Sequence, residues 1–297
     1  MKTITVLLLA SIISSTNNFT QFKNLINQSK YSEAKVVLDN WGDSKENDPQ
    51  YYISCFNYYI IQSQKSGMVL QTEKPYSGDS FEITDSSSGE TKGYMANRTY
   101  YEGENYNKAI DYIKKGINKF PDHYEMRFGL LWVHQENRNF KQFLTEFEDA
   151  LKFYYLNKPK IVYWNENKII NSPYDFIIEN AQGNINYFYN NLDLQKSNSF
   201  LNACNDLIIK YYPDHKYGYN NKGIMSYITK DFNNALKYYS VAYSKDQNDA
   251  MILLNIAYTY KNLNDIEQSK KYFNNVIKLD KTGEYKKIAK KELSELK

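Results

Sequence analysis

The C-terminal part of the chain repeats its pattern of small, large and polar residues at a spacing of 34 residues. Gly223 and Ala257 hold equivalent places, and so do Tyr239 and Phe273. Because small residues let two helices approach closely and large ones fill the space between neighbouring pairs, the pattern predicts stacked helical hairpins. The equivalent pairs are Tyr219 and Leu253, Gly223 and Ala257, Asp231 and Asp265, Phe232 and Ile266, Ala235 and Ser269, Tyr239 and Phe273, and Asp246 and Asp280.

This pattern resembles the tetratricopeptide repeat (TPR), a helix-turn-helix unit of about 34 residues with the motif W-x₂-L-G-x₂-Y, then A-x₃-F, then P. Pro121 and Pro213, each followed by Asp-His, stand at the closing position. The matching residues are Leu253, Ile256, Ala257 and Tyr260 for the first part of the motif, and Ala235 and Tyr239 for the second. The resemblance implies an all-α, TPR-type α-solenoid of about six helix-turn-helix repeats.

The register of the repeats predicts the domain organisation. N-terminal repeats occupy 16–157 and C-terminal repeats 182–283. They are joined by an irregular connection at 158–181 that holds Pro159, Trp164 and Pro173, with a helix beginning near Tyr174. Apolar residues alternate with lysines over 284–297, which predicts a helix capping the end of the solenoid; a basic helix lying on a membrane is the alternative. The individual repeats are predicted at 15–48, 49–123, 124–157, 182–215, 216–249 and 250–283.

Residues at about 66–98 interrupt the helical pattern. Three short, partly alternating segments at 68–72, 80–84 and 93–95 are separated by Pro75, Gly78 and a Ser-rich run that ends at Gly89. This arrangement predicts a small β-rich insertion, either a hairpin or a three-stranded sheet. A disordered loop is the alternative, because isolated strands are marginally stable.

The N-terminus has the pattern of a secretory signal. One lysine precedes an apolar run from Ile4 to Ile13, which is followed by small and polar residues. This predicts a signal peptide at 1–15 and an exported protein, periplasmic or extracellular. The run is too short to span a bilayer, so no integral membrane span is predicted after signal removal. The alternative is a buried first helix of a cytoplasmic protein.

Composition and motifs give little support for catalysis. The net charge is +3, so nothing favours a nucleic-acid partner, and two cysteines exclude a disulfide scaffold. Phosphate-binding loops, zinc-protease motifs and nucleophile elbows are absent from the sequence. His123 and His215 each follow Pro-Asp, which favours a role in a turn. We therefore predict no enzymatic activity, no cofactor and no metal site.

The resemblance implies that the first helix of each repeat lines a concave groove. The groove positions carry aromatic and amide side chains with little charge. Asn221 and Asn255 hold the same repeat position, where their amides could pair with a peptide backbone. The predicted groove residues are Phe128, Trp132, Tyr217, Asn220, Asn221, Ile224, Tyr227, Met251, Leu254, Asn255 and Tyr258.

What the family implies for function is a non-enzymatic adaptor that binds a peptide or protein segment in this groove. The best-known peptide clamp of the family holds a C-terminal carboxylate with Lys and Arg, and the present positions depart from it. Aromatic rings beside amides also suit sugars, so a glycan-binding protein of the cell envelope is the alternative. A third interpretation places the aromatic residues in the core between helices, with the asparagines reflecting overall composition.

Overall fold

The computed structural model describes residues 18–43, 45–71, 80–166, 168–281 and 283–296. The signal peptide predicted at 1–15 lies outside these residues, so export of the chain stays a prediction. The described residues divide into two compact units. Unit 1 holds those up to Glu146 together with Asn157–Phe176, and unit 2 holds Phe147–Leu156 together with those from Ile177 onward.

Helices dominate the described residues, where they form six consecutive pairs in chain order followed by a single C-terminal helix. This confirms the predicted TPR-type helical fold with its capping helix. The helices are α1 (18–27), α2 (Tyr31–Asp39), α3 (Pro49–Ser63), α4 (Gly103–Lys119), α5 (Tyr124–Glu136), α6 (Phe140–Asn157), α7 (Pro173–Asn191), α8 (Asn198–Tyr211), α9 (Tyr217–Ile228), α10 (Phe232–Lys245), α11 (Ala250–Asn262), α12 (Ile266–Leu279) and α13 (Glu284–Glu295). The strands are β1 (Gln64–Gln71), β2 (Ser80–Thr84), β3 (Thr91–Tyr101), β4 (Val162–Trp164) and β5 (Lys168–Ile170).

The short turns inside four of the helix pairs share one backbone motif. Ser29, Arg138, Lys230 and Asn264 all have a left-handed conformation, with φ between 54° and 62°. In each turn the N–H of the following residue donates to the carbonyl five residues earlier, over 2.8 to 3.0 Å. This is the hydrogen bond that closes a Schellman motif and satisfies a free carbonyl at the end of the first helix.

A three-stranded sheet takes the place of that turn between α3 and α4. The strand order is β1-β3-β2, and both pairings are antiparallel, with Gln64 opposite Tyr101. Only Glu102 separates β3 from α4, and its N–H donates to the Ser63 carbonyl over 3.2 Å. The predicted β-rich insertion is therefore confirmed, with longer first and third strands than expected.

The core of unit 1 includes a hydrophobic cluster that joins α1, α2 and α3 and another that joins α3, α4 and α5. In the first, the buried Trp41 donates from Nε1 to Asp48 Oδ2 over 2.8 Å. The other oxygen of Asp48 accepts from the Gln50 N–H over 3.0 Å and so caps α3. One carboxylate thus satisfies a buried indole and the start of a helix.

The core of unit 2 follows the small and large positions of the repeat. The Gly223 backbone lies so close to Tyr239 that a Cβ at this glycine would be 2.4 Å from the ring. Ser269, in the small position of the next repeat, is buried and donates to the Ala257 carbonyl over 3.0 Å. The capping helix α13 packs on α11 and α12 through the fully buried Ala289.

A shared lysine links the starts of α9 and α11 in unit 2. Lys216 Nζ lies 2.7 Å from Asp246 Oδ2 and 2.6 Å from Asp249 Oδ2. The hydrogen bond from Lys216 is the main cause that holds the pKa of Asp246 below its ordinary value, against the opposing effect of burial. Burial lowers the pKa of Lys216, but its two hydrogen bonds outweigh this effect and the net pKa is raised.

This ion pair predicts a stability difference that depends on pH. A carboxyl group with a lowered pKa stabilises the fold above its unfolded pKa of about 4, and this contribution is lost as the pH falls through the folded pKa. Because Asp246 is 35% exposed, solvent screens the pair, and we expect Lys216→Met to cost on the order of 1 kcal/mol at neutral pH. Urea unfolding of the unmodified chain and of the Lys216→Met variant at pH 7 and at about pH 3 measures this cost, which should be smaller at about pH 3. A cost that is equal at the two pH values would contradict the assignment.

Candidate partner-binding site

Unit 1 contains a pocket of about 570 Å³ bordered by α1, α3, α5 and the turn between β4 and β5. Three of these four elements are the first helices of their pairs, which is where the resemblance implies a binding face. The lining residues are Phe19, Phe22, Lys23, Ile26 and Asn27 from α1, Gln50, Ile53, Asn57, Ile60 and Ile61 from α3, Glu125 and Trp132 from α5, Trp164 from the end of β4, and Asn165 and Glu166 after it.

Helical spacing explains why these residues share one surface. On α3, Asn57 lies four residues after Ile53, and Ile60 and Ile61 lie three and four residues after Asn57, so the four residues share one face. On α5, Glu125 and Trp132 are seven residues apart, or about two turns, and also face the same side. The pocket is therefore lined by continuous faces of helices, and its walls are mainly apolar and aromatic.

The β4–β5 hairpin positions Trp164 at the pocket. Its turn begins with two left-handed residues, Asn165 with φ 40° and Glu166 with φ 62°, a conformation that suits a tight hairpin. Tyr163 fixes the hairpin to the start of α5, because its ring stacks on His123 with centroids 4.7 Å apart and its N–H donates to the Asp122 carbonyl over 2.8 Å. The prediction of an irregular connection over 158–181 missed this hairpin.

The charged groups of the pocket differ in their surroundings. Lys23 and Glu166 form an ion pair, and each side chain is about half exposed. Glu125 is different because its side chain is only 12% exposed. Its Oε1 lies 3.2 Å from His123 Nδ1, whereas its buried Oε2 has no hydrogen-bond partner among the described residues.

The two groove residues predicted in unit 1 lie in different environments. Trp132 is 40% exposed and lines the pocket, as a binding residue would. Phe128 is 8% exposed and packs edge-on against Trp164 and Phe176, with centroids 5.9 and 6.5 Å away. Placing Phe128 in the groove was therefore wrong, because its ring is buried and packs against the hairpin residue Trp164 and against Phe176.

Three of the groove residues predicted in unit 2 are buried. Asn221 is 1% exposed and donates from Nδ2 to Gln182 Oε1 over 2.9 Å and to Asn205 Oδ1 over 3.0 Å. Asn220 is 3% exposed and accepts from Asn255 Nδ2 over 3.1 Å. Leu254 is 6% exposed and belongs to the core. The amide ladder predicted for a peptide backbone is thus wrong at Asn221, whose amide is used inside the protein.

The other predicted residues of unit 2 remain half-buried, and their polar tips join neighbouring helices. Tyr217 Oη donates to Glu179 over 2.7 Å, and Tyr258 Oη donates to Glu292 over 3.1 Å. Burial, followed by the bond to a carboxylate, raises the pKa of both tyrosines to about 12. The remaining predicted residues are half-buried too, namely Ile224, Tyr227, Met251 and Asn255. The Tyr227 hydroxyl oxygen accepts a hydrogen bond from Asn262 Nδ2.

The described ranges show two further features of the chain. They contain no cluster of three or more His, Cys, Asp or Glu side chains placed to hold a metal ion. In the same ranges, no helix has the length and hydropathy needed to cross a membrane.

A tetratricopeptide-repeat family model matches residues 251–282, which confirms the predicted resemblance at the last repeat. No curated protein matches the chain.

Among solved structures, the chain is similar to MamA (residues 41 to the end) from Desulfovibrio magneticus RS-1. The two sequences are 11% identical, the match covers 60% of this chain and 87% of that one, and the TM-score is 0.37. It is also similar to PilW, a widely conserved type IV pilus biogenesis factor, with 11% identity, 94% and 97% covered, and a TM-score of 0.41. The third is the TPR2AB-domain:pHSP90 complex of yeast Sti1, with 11% identity, 95% and 96% covered, and a TM-score of 0.33. Similarity at this level does not indicate a shared function.

Proposed function

We propose that the chain is a non-enzymatic interaction module that binds a peptide or protein segment, and that the segment is anchored in the unit 1 pocket. The observation that carries the proposal is Trp132, an indole that is 40% exposed at the edge of an apolar pocket. A large aromatic ring left in contact with water beside a concave apolar surface gains favourable contacts when a partner covers it.

The dimensions of the pocket support a side-chain anchor. Ligand pockets have volumes of about 300–1,000 Å³ and are mostly apolar with a few polar groups, and this one has about 570 Å³. Such a volume accommodates one or two large side chains of a bound segment. Binding energy in protein interfaces is concentrated on a few anchors in well-packed pockets, among which tryptophan is enriched. Trp132 and Trp164 are the residues of this pocket that fit that role.

The predicted groove of unit 2 offers a ligand fewer available groups than the pocket of unit 1 does. Its buried amides and bonded tyrosine hydroxyls are used between helices, so a ligand there would meet the exposed parts of the rings without free polar partners. The glycan-binding alternative loses the amides of Asn220 and Asn221 on which it depended in this unit. We therefore place the principal anchor in unit 1.

Replacing Trp132 by alanine is expected to weaken binding of a selected peptide by about tenfold or more, equivalent to ~1.4 kcal/mol. The peptides are selected from a random display library against the full chain, and the dissociation constant Kd is measured by calorimetry. The matched control is Phe81→Ala, which removes an aromatic ring that is 68% exposed on the inserted sheet, away from the pocket. Circular dichroism verifies that both variants are folded.

The proposal fails if selection enriches no peptide whose affinity depends on Trp132. It also fails if the alanine variant and the Phe81 control lose affinity equally, because binding would then not involve the pocket.

A further inference from the structure

The pocket has an imbalance of charge that points to the chemistry of its occupant. Two carboxylates, Glu125 and Glu166, line it, and Lys23 is the one described lining residue with a positive charge. Lys23 is already paired with Glu166 at the exposed edge. Within the described lining, Glu125 therefore has no lysine or arginine partner, and its contact is with His123.

Glu125 is also short of hydrogen-bond donors. One of its oxygens faces His123 Nδ1, while the other is buried and has no partner within the described part of the chain. A buried carboxylate oxygen loses its hydration, and leaving it without a donor is costly. A ligand that brings N–H donors and a positive charge would offset the negative charge of the Glu125 carboxyl group, since charge-assisted hydrogen bonds are the stronger ones.

The walls of the pocket suit the remainder of such a ligand. Trp132 and Trp164 line the pocket, and the negative face of an aromatic ring attracts a cation. Ile53 and Ile61 offer apolar surface for an aliphatic stem. Lysine and arginine combine both features, because their methylene stems pack on apolar surface while the head carries the charge.

We infer that the pocket takes a lysine or arginine side chain of the bound segment, with the basic group directed to Glu125. This inference rests on the proposed function, because it identifies the anchoring residue of the same segment. The polarity is opposite to that of the carboxylate clamp of the family, in which the protein supplies the cations.

The experiment uses peptides selected from a random display library on the full chain. The expected result is one position occupied by lysine or arginine in the enriched sequences. Replacing that residue by norleucine, which keeps an aliphatic chain and removes the charge, is expected to weaken binding by about tenfold or more. Glu125→Gln is expected to weaken binding of the basic peptide to a similar extent, and to leave the weak binding of the norleucine peptide unchanged.

The control variant is Glu104→Gln on α4, which removes one carboxylate of unit 1 from a side chain that is 82% exposed and outside the pocket. It is expected to bind like the unmodified chain. Circular dichroism and thermal melting of each variant separate loss of binding from loss of fold.

The outcomes distinguish the two proposals. Enriched peptides that depend on Trp132 but share no basic residue, or that bind Glu125→Gln with unchanged affinity, would overturn the basic-residue inference and leave peptide binding standing. A library that yields no Trp132-dependent peptide would overturn both. If Glu125→Gln unfolds, the inference is tested by the norleucine peptide on the unmodified chain. Binding that does not depend on the basic group of the peptide would overturn it.

Discussion

Phe273→Ala is expected to lower the free energy of unfolding of unit 2 by about 3–5 kcal/mol, which is the cost typical of removing a buried phenylalanine. The ring is fully buried in the cluster that joins α11, α12 and α13. It packs against Tyr258 at a centroid distance of 5.4 Å and an interplanar angle of 89°. Its removal creates a cavity at the place where the last hairpin meets the capping helix, so both contacts are weakened together.

Urea unfolding followed by far-ultraviolet circular dichroism measures this effect. Tryptophan fluorescence is unsuitable for unit 2, because the three tryptophans of the chain, Trp41, Trp132 and Trp164, all belong to unit 1. The control is Ile288→Ala on α13, an apolar side chain that is 38% exposed, which should cost far less. Equal effects of the two substitutions would show that Phe273 does not fill the space assigned to it.

Asp48→Ala is expected to destabilise unit 1 by about 2–4 kcal/mol. Loss of the helix cap accounts for roughly 1 kcal/mol, and the buried Trp41 indole N–H left without an acceptor adds about 1–3 kcal/mol. Fluorescence-detected urea unfolding is appropriate here, because Trp41 itself reports the change in its environment.

Two control substitutions divide the effect of Asp48 into its parts. Asp48→Asn keeps one side-chain acceptor of the two that bind Trp41 and the Gln50 N–H, so an intermediate loss is expected. Asp231→Ala removes an exposed cap, the acceptor for the Asn234 N–H at the start of α10, and should cost about 1 kcal/mol. If Asp48→Ala were no more harmful than Asp231→Ala, the indole hydrogen bond would contribute nothing to stability.

The repeated hairpins could be predicted from the sequence because their determinants are local and periodic. Gly223 with Tyr239, and Ala257 with Phe273, recur at one spacing, and close helix packing requires that alternation of small and large residues. The capping helix was recognisable for a related reason, since its apolar residues fall on one side. In the inserted sheet, the alternating segments predict that strands are present. The residues at which the strands end depend on the pairing between β1 and β3, which the alternation does not specify.

Much of the candidate site could not be predicted, because it depends on contacts between distant parts of the chain. Trp164 is held by the stacking of Tyr163 on His123, which lies 40 residues earlier. A signal for the hairpin did exist, in two short apolar segments on either side of the polar sequence Asn-Glu-Asn. The burial of Asn221 had no such signal, because its partners Gln182 and Asn205 are on other helices.

The chain segment that forms the sheet leaves the end of α3 and returns to the start of α4 at neighbouring positions in space. Ser63 and Glu102, on either side of it, are joined by a backbone hydrogen bond, so the two helices already meet at their base. Long excursions add little entropy cost to a closure, since each doubling of loop length costs only about 0.6 kcal/mol. The part of the insertion beyond the Ser63–Glu102 bond and the Tyr101–Asn137 bonds can accordingly change in length while the helical pair keeps its geometry.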